Sequence, residues 1–408
     1  MSASLDVLVV GGGPVGAAVG ALLARAGQAG TAWRVGLLQA PQTAPDGRVI
    51  ALSRASERIL DAAGAWPALR PHAWAYEHMR VWHHSVAAQS DEVLQFDAAQ
   101  AGEPNLGYII QTRRVTTALM DAFVAAGGQV LDGELQALTP SAAAGPVRAQ
   151  TSAGELSAQL IVGADGARSA VRSALGIEAR TASYEQLALV ARVVPEHSHR
   201  NTAWQRFVDG GTLALLPLAD GSVSIVWSVR EAQGRALLAA TSADFEAQLF
   251  EHTDAVLGRL TLAGERAAFP VLRLSADRYV AAHCALVGDA AHVVHPLAGQ
   301  GVNLGLLDAA TLAQLTVQAC SSGELLGAQR TLRAYERWRK GENQLMEFAI
   351  DAFNRVLAQG AGPVSVLARR ALALTNRSAL LKRFFIGQAL GQAPALTAWE
   401  SDRSSLRR

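Results

Sequence analysis

The sequence predicts an α/β protein: a domain built on a parallel sheet is interleaved with a mostly antiparallel β-sheet domain, and a helical region follows at the C-terminus. Three observations predict it. Short apolar runs ending in glycine-containing turns recur at Asp6–Val10, Leu160–Val162 and Ala285–Val287, as buried parallel strands do. Between Tyr184 and Val271 the texture changes to Val-, Leu- and Trp-rich runs separated by Asp/Gly turns. From Gly305 the pattern is helical, with few glycines before Gly360.

Asp6–Val10 is followed by a Gly-rich turn at Gly11–Gly16. Ala17–Ala26 is rich in Ala and Leu with no breaker and reads as a helix. Arg34–Gln39 is a second buried strand, completing a strand–turn–helix–strand unit. In the middle of the chain Leu187–Val194, Thr212–Leu218 and Ser222–Val229 read as strands, with a turn at Ala219-Asp220-Gly221. No internal repeat or low-complexity linker separates the two textures, so the domains interleave in sequence.

Composition excludes several classes. With 50% apolar and 17% charged residues, the 408-residue chain can bury a large core and is not intrinsically disordered. A net charge of +1 points away from nucleic acid. The charge is uneven: from Gly327 onward Lys and Arg outnumber Asp and Glu more than twofold, as on a solvated helical face or a surface for an anionic partner. Two cysteines, Cys284 and Cys320, exclude a disulfide-stapled or zinc-ribbon protein and suit a reducing, cytoplasmic setting. Neither a signal peptide nor a membrane-spanning run is expected.

Three motifs carry the chemistry. Gly11, Gly13 and Gly16 fit Gly-x-Gly-x-x-Gly, with Pro14 and Val15 between the last two. The first glycine permits the tight turn, the second lets backbone approach a pyrophosphate, and the third allows helix and strand to pack closely. The acidic ribose-binding residue expected at the end of the second strand is here Gln39, 28 residues after Gly11 rather than the usual ~20. Alone, this turn also suits NADP. The second motif is Gly163-Ala164-Asp165-Gly166, running on to Arg168 and Arg172. The third is Gly288-Asp289-Ala290-Ala291-His292, leading into His295, Pro296 and the run Gly299-Gln300-Gly301-Val302-Asn303. An Asp at a strand end can bind ribitol or ribose hydroxyls or cap a helix. A Gly-rich run opening a helix offers N–H groups to a flavin carbonyl and to phosphate.

These segments resemble the class A flavoprotein aromatic hydroxylases. More narrowly, Asp46–Ser53, Ala203–Phe207, Ile225–Ser228, His295–Asp308 and Asn376–Gly391 resemble the ubiquinone-biosynthesis hydroxylase family. The resemblance implies an FAD-binding Rossmann-like domain over residues 1–75, 105–180 and 275–340. It implies a substrate domain over 76–104 and 181–274, and a C-terminal helical region over 341–408. The fingerprint glycines would hold the FAD pyrophosphate, and Gln39 stands where the family usually has Glu. Arg48 and Gln111 would lie along the flavin, and Asp165 would serve FAD and reduced nicotinamide. Asp289 would hold the ribitol, with Pro296 and Gly299–Asn303 lining the isoalloxazine.

The implied reaction is hydroxylation of a polyprenylated phenol in ubiquinone biosynthesis, through a flavin C4a-hydroperoxide. NADH or NADPH, or a protein electron donor, and O2 would be co-substrates. No metal is expected: His83 and His84 point apart, and the His292–His295 loop belongs to the flavin. His295 is the titratable side chain placed beside the flavin edge, a candidate for proton handling. Leu215, Pro217 and Trp227 are the substrate-pocket candidates, with core packing as their alternative. The segment Ala379–Gly391 reads as amphipathic, for docking on the protein's own core, on a multienzyme complex or peripherally on a membrane. Two other functions stay open: hydroxylation of another small aromatic, and a non-catalytic flavin-binding or flavin-losing scaffold of a biosynthetic complex.

Overall fold

The computed structural model describes residues 3–27, 33–41, 48–139, 145–296 and 299–354. Five parallel strands form the spine of the first sheet, in the order Cys284–Leu286, Gly154–Gly163, Ala3–Val10, Val35–Gln39, Gln129–Asp132. The central residues of the first four are apolar and buried on both faces, as a sheet covered by helices on either side requires, while Gln129–Asp132 at the edge is largely exposed. Helix Pro14–Ala26 covers one face. Its small residues let neighbours approach closely: a side chain at Gly20 would meet the Phe123 ring at 3.1 Å.

The strand predicted at Leu160–Val162 is ten residues long, because its first half pairs antiparallel with Val147–Thr151. A small antiparallel sheet joins Val49–Ser53, Gly107–Gln111 and Trp74–Tyr76, beside the mouth of the first sheet.

The second sheet has nine strands and is antiparallel throughout except at one pair, Thr202–Val208 with His78–His83. Its backbone is the 17-residue strand Ala179–Pro195, which pairs first with Leu272–Ala276 and, past an irregularity at Tyr184–Gln186, with Val223–Arg230. Two helices absent from the sequence reading, Glu231–Ala239 and Ser242–His252, cover one face of this sheet.

The helical stretch expected from Gly305 is two helices, Gln300–Ser321 and Gln329–Phe353, separated by a turn containing Gly323 and Gly327. Ala379–Gly391 lies outside the described residues. None of the described helices is long and apolar enough to cross a membrane.

Candidate active site

The C-terminal ends of the parallel strands open into a cleft of about 740 Å³, within the size range of small-molecule sites. The glycine turn forms its floor. Gly11 has φ +115°, and a Cβ there would lie 2.3 Å from the Ala164 carbonyl oxygen. A Cβ at Gly16 would lie 2.0 Å from the Gly11 carbonyl oxygen, so helix and turn touch through bare backbone. Gly13 has nothing within 4 Å of where a Cβ would stand; that space belongs to the cleft. Behind it, Pro14–Ala26 begins with no side-chain cap, leaving its first N–H groups facing the cleft.

The cleft brings together Gly11, Gly13, Pro14, Val15, Gln39, Arg48, Asp165, Asp289 and Val302 from segments far apart in sequence. Gln39 closes one end, its amide 3.4 Å from Asp132 on the neighbouring strand. Asp165 lines the cleft and also caps the short helix Ala170–Ala174: its carboxylate accepts from Ser169 Oγ and, at 3.0 Å, from the Val171 N–H. The same side chain thus caps a helix and borders the cleft. Asp289 reaches into the cleft. The surrounding protein raises its carboxyl above the usual range, and the charges of His292 and Arg48 partly offset this.

The Gly288–His292 loop rests on a buried ion-pair network. Asp308 accepts from Gly288 N (3.0 Å), His292 Nε2 (2.6 Å), Arg339 Nε (2.8 Å) and Asn343 Nδ2 (3.0 Å). Burial alone would raise its carboxyl, yet His292 and Arg339 hold it well below the ordinary range.

The other expected cofactor residues lie around this cleft, not in its lining. Gly16 is buried behind the turn. Gln111 occupies the N-cap position of the helix Thr112–Ala125 without a side-chain capping bond and is exposed, and its neighbour Thr112 lines the cleft. Gly299, Gln300 and Gly301 form the uncapped start of Gln300–Ser321, and Pro296 precedes it. The Asn303 side chain is committed elsewhere. It donates to Ala51 O (2.8 Å) and accepts from Ser53 N (3.0 Å) and Ser56 Oγ (2.7 Å), tying this helix to the Val49–Ser53 strand. Any contact it makes with a cofactor must be through backbone.

Thr112, Arg168, Glu134 and Leu135 also line the cleft, and the sequence reading did not single them out for it. Glu134 and Leu135 follow Gln129–Asp132, whose end at the ligand side of a parallel sheet was the available signal.

The substrate candidates need correction. Leu215, Pro217 and Trp227 face away from the cleft. Cross-strand register sets Trp227 beside Leu189 and Leu213, and that face packs under the two helices, with the Trp227 ring 4.9 Å from His252 and 6.5 Å from Phe245. Leu215 belongs to the same cluster, and Pro217 shares its parity. The opposite face is the one that touches a cleft-lining residue. It carries Ala188 beside Phe269, and the cleft-lining Arg48 lies 5.4 Å over the Phe269 ring. The next row on that face is Val190, Val226 and Ala214, all partly exposed, with Leu216 beyond.

His295 also differs from expectation. It is fully buried behind the cleft wall, with Nε2 2.9 Å from Gln186 Oε1 and Tyr184 edge-on at 4.9 Å. Gln186 donates its amide to Gly210 O at 2.8 Å, which turns its oxygen to His295. Burial pushes the imidazole down to about 4, against a smaller opposing effect of Asp351, so the ring is neutral at pH 7 with Nε2–H donating. The unfolded chain protonates this histidine near 6.5, whereas the folded one does so only near 4. Stability should therefore be lost as pH falls from 6.5 to 4, by about 3 kcal/mol from this group. Urea unfolding at pH 7.5 and 4.5 checks this. His295→Asn should lose about 3 kcal/mol less than the parent over that interval, and an equal loss in both would remove His295 as the cause.

Comparison with known proteins gives a consistent picture. Residues 4–346 match the family described as FAD binding domain. The chain is 36% identical to the ubiquinone hydroxylase UbiL of Rhodospirillum rubrum, over 95% of this chain and 89% of that protein. It is 34% identical to 3-demethoxyubiquinol 3-hydroxylase of Escherichia coli, over 95% and 98% respectively. It is 30% identical to the mitochondrial ubiquinone biosynthesis monooxygenase COQ6 of Homo sapiens, over 92% and 90%. Among solved structures, p-nitrophenol 4-monooxygenase PnpA from Pseudomonas putida shares the fold, with a TM-score of 0.77, 19% identity and coverage of 96% of this chain and 99% of that one.

Proposed function

The chain belongs to the FAD binding domain family of FAD-dependent aromatic monooxygenases, and from that premise we propose that it hydroxylates the ring of a polyprenylated phenol in ubiquinone biosynthesis. The observation that carries the substrate class is the row Val190, Val226 and Ala214, on the sheet face that carries Phe269, with Arg192, Ser224 and Leu216 in the row beyond. A row of apolar, partly exposed side chains near a flavin-sized cleft, flanked on its own face by Ser224 and Ser228, suits a phenol ring carrying a hydrocarbon tail.

The chain's own residues do the following. Gly11, Gly13 and the N-terminus of Pro14–Ala26 hold the FAD pyrophosphate, with Arg48 and Arg168 supplying positive charge from the walls. Asp289 accepts from the ribityl hydroxyls. The N–H groups of Gly301 and Val302, at the N-terminus of Gln300–Ser321, would favour negative charge on the isoalloxazine. The sheet covers the ring and keeps water out. Bound FAD, reduced by NADH, NADPH or a protein donor, supplies the oxygen-transfer chemistry with O2. A substrate of this kind partitions into a bilayer. The reading therefore includes transient contact with a membrane surface, with the Lys- and Arg-rich stretch from Gly327 onward as the candidate segment.

Anaerobic reduction tests this. FAD-loaded protein mixed with NADH or NADPH should bleach at least tenfold faster when a polyprenylated phenol is present than with the same phenol lacking its tail. Equal rates with both phenols would favour a small aromatic substrate. Protein that takes up no FAD would favour a scaffold.

A further inference from the structure

We infer that the buried Asp308–Arg339 pair is a positioning unit for the flavin, through which the helix Gln329–Phe353 sets the place of Asp289. The inference rests on the proposed role of Asp289 in holding the ribityl chain. Asp308 takes hold of the Asp289 loop on both sides: Gly288 N–H before it and His292 Nε2–H after it. Its second oxygen accepts from Arg339 and Asn343, both on Gln329–Phe353. Arg339 is fully buried, and its remaining nitrogens bond Asn343 Oδ1 (2.8 Å) and Glu342.

The same helix grips the strand leading into the loop. Tyr335 donates to Leu286 O at 2.8 Å, and Glu336 accepts from Tyr279 N at 2.8 Å. On the other side Gly305 abuts the loop, since a Cβ there would stand 3.3 Å from Gly288 Cα and 2.5 Å from Val15. The loop thus has one available position, fixed by charges that contact neither cleft nor solvent.

Buried ion pairs are weak evidence of stability, because desolvation offsets their attraction, and replacing both partners by apolar groups is often neutral. What this pair supplies is geometry. An acceptor poised for two loop donors is lost when the pair is replaced, even where the fold is kept.

Four variants test this by FAD titration and by thermal unfolding of the FAD-free protein. Asp308→Leu/Arg339→Met, which removes both fully buried charges together, should still unfold cooperatively but bind FAD at least tenfold more weakly. His292→Leu, which leaves the ion pair intact, should weaken FAD about threefold and change the visible circular dichroism of bound flavin. Arg339→Lys, which keeps the charge beside Asp308, should stay within threefold of the parent. Asp289→Ala should lose FAD by tenfold or more. If the double variant and His292→Leu bind FAD within twofold of the parent while Asp289→Ala does not, the positioning role is wrong. If Asp289→Ala also binds normally, the reading of the site falls and the inference with it. Should the double variant fail to fold, His292→Leu decides on its own.

Discussion

Gly11→Ala should abolish useful FAD binding and destabilise the protein. The new Cβ would lie 2.3 Å from Ala164 O and 2.5 Å from Ala164 C, both backbone atoms of the adjoining Asp-Gly loop, at a φ of +115° that side chains rarely adopt. Strain of this kind costs about 1–3 kcal/mol at one residue. Pushing the Ala164–Asp165 segment away would also widen the cleft floor. FAD affinity should fall by roughly 100-fold, about 2.7 kcal/mol.

Gly13→Ala is the informative partner. Its Cβ would meet no protein atom, so the FAD-free protein should melt like the parent. The same methyl group would occupy the space of the pyrophosphate, and FAD binding should drop by a similar factor. Thermal unfolding without FAD, paired with FAD titration, separates the two. Normal binding by Gly13→Ala would mean that the pyrophosphate lies elsewhere.

Val226→Arg should cut kcat/KM for a polyprenylated phenol by about 100-fold or more, with FAD affinity unchanged. Val226 sits mid-row on the Phe269 side of the second sheet, between Val190 and Ala214. A guanidinium there would fill the apolar space, and covering it with a hydrocarbon tail would leave its charge desolvated and unpaired. The adjacent residue gives the control. Trp227 is buried on the opposite face against Phe245 and His252, so Trp227→Phe should lower stability by about 1–2 kcal/mol and leave kcat/KM within twofold. If Trp227→Phe changed kcat/KM while Val226→Arg did not, the assignment of faces would be reversed.

That contrast shows where the sequence was readable. The glycine turn was legible because each glycine answers a local steric demand, and each demand appears as a contact: Gly11 against Ala164, Gly16 against Gly11, Gly13 against open cleft. The parallel strands were legible from their unbroken apolar runs. The facing of Leu215, Pro217 and Trp227 was not. Leu213–Leu216 and Ile225–Trp227 are apolar on both sides, one side packed under helices and the other on the face that carries Phe269, so alternation carries no signal.

The two covering helices were missed because Arg230–His252 is mixed in polarity, with Gly234 inside it. Parallel pairing of Thr202–Val208 with His78–His83 joins segments over a hundred residues apart, and no local pattern announces it. Asp308 was visible as part of a motif. Its partner Arg339 stood in a charge-rich helix where a solvated face was the ordinary reading, and only burial reveals the pair.

In the proposed reaction, bound FAD and O2 supply one oxygen atom to the ring of a tailed phenol within this cleft. Turnover of FAD-loaded protein under 18O2, with NADH or NADPH and a polyprenylated phenol, followed by mass spectrometry of the product, tests it most directly. The expected product carries one 18O atom on the ring, is formed by the parent and is lost in Val226→Arg. A product whose new oxygen comes from water, or reductant consumption that yields only peroxide with every tailed phenol tried, would contradict it.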